Sequence, residues 1–216
     1  AGGGDLVQHH DVRGGRRIAA AMADQDKKMA RAFGGKLSSE QRTALRHVLG
    51  GNGFANIVGL AGAGKSTALD TARAAWERQG LRVHGAALAG KAADGLQEAS
   101  GIPSRTLASL EMSWQNGHDP IGKGDVLVID EAGMIGTRQM ARMTAKLDEI
   151  GAKLVLVGDP DQLQPIEAGT PFRELTARHG AAHLTEIHRQ KDVWQKQASR
   201  DLAAGRSREA LSRYAE

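Results

Sequence analysis

Residues 57–67 read IVGLAGAGKST, and this stretch decides the fold class. It matches G-x-x-x-x-G-K-[ST], a loop whose backbone N–H groups cradle the phosphates of a nucleoside triphosphate. Lys65 is expected to reach the β- and γ-phosphates, and Ser66 to place its hydroxyl on Mg²⁺. A chance glycine-rich turn is the alternative, but an apolar strand precedes the loop and helix-forming sequence follows it. The expected nucleotide contacts are Gly59, Gly62, Gly64, Lys65, Ser66 and Thr67.

The composition narrows the class of protein further. The chain has 216 residues, 40% of them hydrophobic, which suffices for one α/β domain with a full core or for one domain plus pieces of another. The absence of cysteine excludes disulfide frameworks, thiol catalysis and cysteine-based zinc sites, and it fits a reducing, cytoplasmic compartment. The formal charge of +4 is compatible with nucleic acid but decides little. No apolar run approaches the roughly 18 residues of a membrane span.

The chain begins with AGGGDLVQHHDVRGG, which has neither an initiator methionine nor the apolar core of a signal peptide. We interpret it as a flexible lead-in to a helix over residues 16–31, and the missing methionine suggests a piece of a longer protein. The predicted organisation is a lead-in over residues 1–36 and an ATPase lobe over residues 37–180. Residues 181–216 are expected to begin a second lobe or to form a C-terminal helical segment.

Short apolar runs then alternate with helix-forming stretches. NIVGL, LRVHGAAL, DVLVID and AKLVLVGD are predicted as strands, whereas SRTLASLEMSW and the stretch after Pro171 are predicted as helices. Such alternation is typical of a parallel sheet with helices on both faces, so the predicted fold class is α/β with three layers. Because the carboxyl ends of parallel strands form one edge, the phosphate loop, Asp130 and Asp159 should converge there.

The stretch DVLVIDEAGM supplies two acidic residues suited to nucleotide hydrolysis. Asp130 ends a buried strand, where a carboxylate suits direct or water-mediated binding of Mg²⁺. Glu131 beside it suits a general base that orients the attacking water. The alternative is a solvated acidic pair at a strand end, which the phosphate loop upstream disfavours. The pair also argues against a small-molecule kinase, which needs no such glutamate.

The stretch LVGDPDQLQPIEAG indicates a group that senses the γ-phosphate. Asp159 ends a strand, and the neutral amide of Gln162 can bond a γ-phosphate or the attacking water. Taken alone, the stretch would be interpreted as a turn fixed by Pro160 and Pro165. Behind a phosphate loop and an Asp-Glu pair, we favour the phosphate sensor.

The three motifs GLAGAGKST, VIDEA and GDPDQLQP together resemble motifs I, II and III of superfamily 1 helicases. LSSEQRTAL resembles the Q-motif of these helicases, ALAGKAADGL resembles motif Ia, SRTLASL resembles a RecD-like motif, and LTEIHRQ resembles motif IV. Over residues 37–190 the sequence is most similar to the RecD-like helicase part of conjugative relaxases of the Ti-type TraA/MobA group.

The resemblance implies a RecA-like P-loop NTPase lobe that uses ATP and Mg²⁺ to move 5′ to 3′ along single-stranded DNA. It also implies that the lobe belongs to a relaxase-helicase polypeptide, which unwinds a nicked plasmid strand and works with other conjugation machinery. The implied catalytic residues are Lys65, Asp130, Glu131, Gln162 and Arg189, the last as an arginine finger. The implied binding residues are Gln41 for adenine, Ser66 and Asp130 for the metal, and Gly90, Lys91 and Thr106 for the DNA backbone.

The sequence departs from the complete family pattern at its end. The chain stops soon after Arg189, so the later motifs of a second lobe are missing, and the only tyrosine, Tyr214, has no relaxase histidine cluster beside it. We therefore expect a first lobe with slow hydrolysis and no unwinding of its own. An RNA or repair helicase lobe and a nucleotide-dependent DNA-binding or loading module with little turnover stay open as alternatives.

Overall fold

A computed structural model describes residues 37–60, 62–118, 120–159 and 171–185, together with helical positions at 20, 23, 24 and 27. The helices are α1 (Ser39–Leu49), α2 (Lys65–Glu77), α3 (Gly90–Ser100), α4 (Leu107–Gln115), α5 (Thr137–Ile150) and α6 (Pro171–His179). The strands are β1 (Phe54–Gly59), β2 (Val83–Ala87), β3 (Ser104–Thr106), β4 (Val126–Ile129), β5 (Lys153–Gly158) and β6 (Ala182–Leu184). A short 3₁₀ helix spans Ala132–Met134. In these ranges no helix is both long and apolar enough to cross a bilayer.

The described strands form one sheet in the order β3-β2-β4-β5-β1-β6, and every neighbouring pair is parallel. Side chains alternate between the two faces along each strand, so Val126 and Val128 of β4 join one core while Leu127 and Ile129 join the other. Helices α1, α2 and α3 contribute to the first core, and α4, α5 and α6 contribute to the second. The predicted α/β fold with a parallel sheet between two helical layers is confirmed.

One predicted helix was wrong at its beginning. The first three residues of SRTLASLEMSW form the edge strand β3, and α4 begins only at Leu107. The strand lies against β2 at Gly85, where a Cβ atom would lie 2.0 Å from Oγ of Ser104, so a larger residue at this position would force Ser104 to shift. The Thr106 hydroxyl then accepts a hydrogen bond from the N–H of Ser109 at 3.1 Å, which ends the strand and begins the helix.

The loops after β4 and β5 pack backbone against backbone at the carboxyl edge of the sheet. A Cβ atom at Gly133 would lie 2.3 Å from the carbonyl oxygen of Asp159. A Cβ atom at Gly158 would lie 3.0 Å from the backbone nitrogens of Ala132 and Gly133. This close contact fixes the position of the loop after Asp130 against the end of β5.

The substitution Gly133→Ala tests this contact. The added methyl group would overlap a backbone oxygen, so we expect the free energy of unfolding to fall by about 1–3 kcal/mol, as overpacking does. Urea unfolding followed by circular dichroism measures the change. Gly95→Ala is the matched control, because Gly95 is exposed on α3 and no atom lies within 4 Å of its added Cβ. That control should be neutral or stabilising by up to about 1 kcal/mol, and equal effects would contradict the contact.

Lys153 is the first residue of β5, at the edge of the sheet opposite the phosphate loop. Its side chain bonds the segment that follows α1. Its Nζ donates hydrogen bonds to the carbonyl oxygens of Gly50 at 2.7 Å and Asn52 at 2.6 Å. Burial lowers the pKa of Lys153 from its ordinary 10.5 to about 8. The folded chain therefore holds this proton less tightly than the unfolded chain does.

The lowered pKa of Lys153 predicts a pH dependence of stability. Below pH 8 both states hold the proton, and between pH 8 and pH 10.5 only the unfolded chain does, so raising the pH through this window favours the folded state. We expect the free energy of unfolding of the wild type to rise with pH relative to that of Lys153→Met. Urea unfolding on either side of the window measures both proteins, and a difference that stays constant with pH would contradict the prediction.

Candidate nucleotide site

The loop between β1 and α2 has the backbone that the phosphate motif requires. Gly62 and Gly64 adopt left-handed conformations with φ of 82° and 77°, which glycine adopts without steric cost. The N–H of Ala63 donates to the carbonyl oxygen of Leu60 at 3.2 Å and closes the turn. Gly64 precedes the first residue of α2 and supplies no capping side chain. The N–H groups of the first turn of α2 are therefore suited to bind an anion.

Lys65, the first residue of α2, turns back onto its own loop. Its Nζ donates to the carbonyl oxygen of Gly59 at 2.6 Å and to that of Leu60 at 3.4 Å. Burial lowers the pKa of Lys65, and the three nearby carboxylates oppose this shift in part; they belong to Asp130, Asp159 and Glu131. Because β4, β5 and β1 are parallel neighbours, the phosphate loop, Asp130 and Asp159 leave the sheet at the same carboxyl edge, as predicted.

The backbone bends sharply at the acidic pair after β4. The N–H of Asp130 still donates to Ala86 of β2 at 3.0 Å, and Oδ1 of Asp130 accepts from the N–H of Glu131 at 2.9 Å. Glu131 has a φ of 55°, and among the described residues it is the one non-glycine residue with a positive φ. A left-handed conformation at a non-glycine residue costs about 1–3 kcal/mol and is commonest at functional sites.

The side chains predicted to hold a metal, Ser66 and Asp130, offer oxygen atoms, which are the ligands that Mg²⁺ prefers. Ser66 lies in the first turn of α2, and Asp130 has one carboxylate oxygen engaged by the backbone of Glu131 and a second oxygen for other partners. Mg²⁺ prefers oxygen ligands and takes few from the protein, because it keeps several waters and binds substrate phosphates. One hydroxyl and one carboxylate beside a phosphate loop match this preference.

Gln41, in the first turn of α1, forms a hydrogen bond to the phosphate loop. Its Oε1 accepts from the N–H of Ser38 at 2.9 Å, while the Ser38 hydroxyl accepts from the N–H of Gln41 at 3.2 Å. Its Nε2 donates to the carbonyl oxygen of Gly64 at 3.3 Å, and only 3% of the residue is exposed. The structure therefore assigns Gln41 a hydrogen bond to the loop, whereas adenine recognition stays a prediction.

The residues predicted to contact DNA lie together at one end of the same edge. Gly90 and Lys91 are exposed in the first turn of α3, directly after β2. Thr106 ends the neighbouring strand β3 and pairs with Ala87 of β2. Strands β4 and β5 separate this cluster from β1 and the phosphate loop.

Two predicted catalytic residues, Gln162 and Arg189, lie outside the described residues. The sequence analysis did not predict two contacts that lie around the site. One is the backbone contact between the loops at Gly133 and Gly158. The other is a hydrogen bond between Glu40 of α1 and the N–H of Thr185, which follows β6. Neither contact has a local signal, because each joins residues far apart in the chain.

Gln41→Ala tests the connection between α1 and the phosphate loop. It removes the acceptor of the Ser38 N–H and a donor to Gly64 in a buried place, so we expect the free energy of unfolding to fall by about 1–3 kcal/mol. Gln97→Ala is the control, since its Oε1 accepts one exposed hydrogen bond from the N–H of Ser104. Chemical unfolding compares the two variants, and a Gln41 variant no less stable than the control would refute the connection.

The sequence of this chain is similar to a known protein family and to several known proteins. A family model described as an AAA domain matches residues 36–216. The conjugal transfer protein TraA of Rhizobium radiobacter is 51% identical over 179 residues, which make up 83% of this chain and 16% of that protein. The ATP-dependent RecD2 DNA helicase of Deinococcus radiodurans is 33% identical over 70% of this chain and 22% of its own length. The multifunctional conjugation protein TraI of Escherichia coli is 34% identical over 72% of this chain and 9% of its own length.

These similarities confirm the resemblance that the motifs predicted, to RecD-like helicases of conjugative relaxases. The chain spans less than a quarter of the length of each of these three relatives. What the comparison covers is therefore one lobe of much longer proteins.

Proposed function

Since this chain belongs to the AAA domain family, we propose that it is the ATP-hydrolysing motor lobe of a DNA helicase that works in conjugative plasmid transfer. The observation that carries the proposal is the parallel order β4-β5-β1, which puts Asp130 and Glu131 at the same edge of the sheet as a loop built to bind phosphate. The family and the RecD2 and TraI relatives support an ATPase and helicase enzyme, and the TraA and TraI relatives support the role in conjugation.

In this function the triphosphate of ATP binds across the phosphate loop and the first turn of α2. Lys65 exchanges the carbonyl oxygen of Gly59, now 2.6 Å from its Nζ, for oxygens of the β- and γ-phosphates. Ser66 and Asp130 offer the oxygen ligands that Mg²⁺ takes, and the bound ion would neutralise charge on the same phosphates. Gln41 contacts the adenine from α1, next to the carbonyl that it already bonds.

Glu131 acts as the general base for the attacking water. Its backbone is held by the carboxylate of Asp130 and by its own carbonyl oxygen, which accepts from the N–H of Met134 at 2.9 Å. A fixed backbone limits the places that the carboxylate can reach, which suits a group that must orient one water molecule. Gln162 senses the γ-phosphate, and Arg189 stabilises its charge in the transition state.

Single-stranded DNA crosses the carboxyl edge at Gly90, Lys91 and Thr106, where an exposed lysine and a helix N-terminus suit backbone phosphates. The motor moves 5′ to 3′, in the cytoplasm, as part of a relaxase-helicase polypeptide that cooperates with other conjugation machinery. The lobe alone hydrolyses ATP slowly, because the motifs of a second lobe contribute to the transition state. A repair or RNA helicase lobe would share the same nucleotide chemistry and differ in its strand preference.

The proposed function is tested by ATP hydrolysis in the wild type, Lys65→Ala and Glu131→Gln, with and without single-stranded DNA or RNA. We expect Glu131→Gln to bind nucleotide like the wild type and to hydrolyse it at least about 100-fold more slowly, since it lacks the base. Lys65→Ala should lose binding as well as hydrolysis. Glu98→Gln, an exposed change of the same chemistry in α3, is the control and should match the wild type.

The outcomes separate the competing functions. Stimulation of hydrolysis by DNA and not by RNA supports the DNA motor. Tight nucleotide binding with no stimulated turnover would favour a DNA-binding or loading module instead. Failure of the wild type to bind ATP would overturn the proposed function as a whole.

A further inference from the structure

Phe172, the second residue of α6, packs where the loops after β4 and β5 meet. Only 1% of the residue is exposed, and it belongs to the same core as Ala132 and Ile135. A Cβ atom at Gly158 would lie 3.3 Å from Cε1 of its ring, and a Cβ atom at Gly133 would lie 4.0 Å from Cδ1. The ring therefore lies directly beside both glycines, at the backbone contact that fixes the loop after β4.

The bend at Glu131 depends on the structure around it. Its φ of 55° is sparsely populated for a non-glycine residue, and such a conformation persists only where the surroundings hold it. Two local hydrogen bonds contribute, from the N–H of Glu131 to Oδ1 of Asp130 and from the N–H of Met134 to the carbonyl oxygen of Glu131, each at 2.9 Å. The position of the bend relative to the sheet then depends on Ala132 and Ile135, which follow it and are fully buried.

Helix α6, which carries Phe172, is itself fixed to the strand that precedes the phosphate loop. Asn56 of β1 is fully buried, and its Nδ2 donates to the carbonyl oxygen of Gly180 at 2.9 Å and to that of Leu175 at 3.4 Å. Leu175 lies about one turn after Phe172 in the same helix. Phe172 therefore relates the position of the acidic loop to the strand that leads into the phosphate loop.

We propose that Phe172 is a positioning residue for ATP hydrolysis, whose ring holds the bend at Glu131 against the end of β5. This inference rests on the proposed function, in which the carboxylate of Glu131 orients the attacking water. A general base works only within hydrogen-bond reach of the proton that it takes, so a small shift of its backbone slows the chemical step. Phe172 is buried, so it acts through the backbone that it supports and not by contact with the nucleotide.

The test compares Phe172→Leu, Glu131→Gln and their double variant. Single-turnover hydrolysis gives the rate of the chemical step, and titration with a fluorescent ATP analogue gives Kd. We expect Phe172→Leu to lower the rate about tenfold, because the smaller side chain lets the bend relax, with Kd changed less than about twofold. In the Glu131→Gln background the same substitution should change the rate less than about twofold, because the base that the ring positions is already gone.

Leu147→Val is the matched control for a loss of packing. Leu147 of α5 is 1% exposed and belongs to the same core as Phe172. Its carbonyl oxygen accepts from the N–H groups of Gly151 and Ala152, just before β5 begins, so it lies towards the edge opposite the acidic pair. The control should lower the urea midpoint and leave the rate unchanged. If Phe172→Leu does not fold by circular dichroism, Phe172→Met, whose flexible side chain fills irregular gaps, carries the same comparison.

The positioning role is overturned if Phe172→Leu hydrolyses at the wild-type rate, if Kd rises as much as the rate falls, or if Leu147→Val slows the reaction equally. It is also overturned if the effects of Phe172→Leu and Glu131→Gln multiply in the double variant. Any of these outcomes with a wild type faster than Lys65→Ala leaves the proposed function standing. A wild type that hydrolyses no faster than Lys65→Ala overturns the proposed function itself, and the positioning role with it.

Discussion

The parallel pairing of β1 between β5 and β6 is the constraint on which the candidate site depends. Val58 pairs with Gly158 and Gly59 pairs with Leu184, so the phosphate loop leaves the sheet level with the ends of both neighbours. The pairing of β4 with β5 adds the strand that carries Asp130. Because parallel strands point the same way, one set of backbone hydrogen bonds places residues from four parts of the sequence at a single edge.

Among the residues that the structure describes, charge at this edge is balanced only in part. Lys65 is the cation among three carboxylates that affect its pKa, and burial already disfavours its charged form. A triphosphate would bring several more negative charges to the same place, close to Asp130 and Glu131. A divalent cation with oxygen ligands answers this excess, because it offsets phosphate and carboxylate charge together. The oxygen-rich edge is thus compatible with the Mg²⁺ that the proposed function requires.

The sequence predicted β1, β2, β4 and β5, because their apolar runs have clear ends. It also predicted that the phosphate loop, Asp130 and Asp159, which follow or end three of these strands, would lie at one edge of the sheet. It did not predict β3 or β6, because three residues are too few to show periodicity. In β3, Thr106 is both the last strand residue and the cap of α4. The S-x-x-Q spacing of Ser38 and Gln41 does signal the capping box that the structure contains. The contact between Glu40 and Thr185 has no such signal, since only the completed sheet brings β6 beside α1.

Gln41 connects the first turn of α1 to the phosphate loop with the same amide that adenine recognition would use. Its Oε1 accepts a hydrogen bond from Ser38, and one N–H of its Nε2 donates to Gly64. One N–H and one lone pair of this nearly buried amide are left for a base. Recognition of adenine would have to use these remaining groups while the bonds to Ser38 and Gly64 hold the side chain in place.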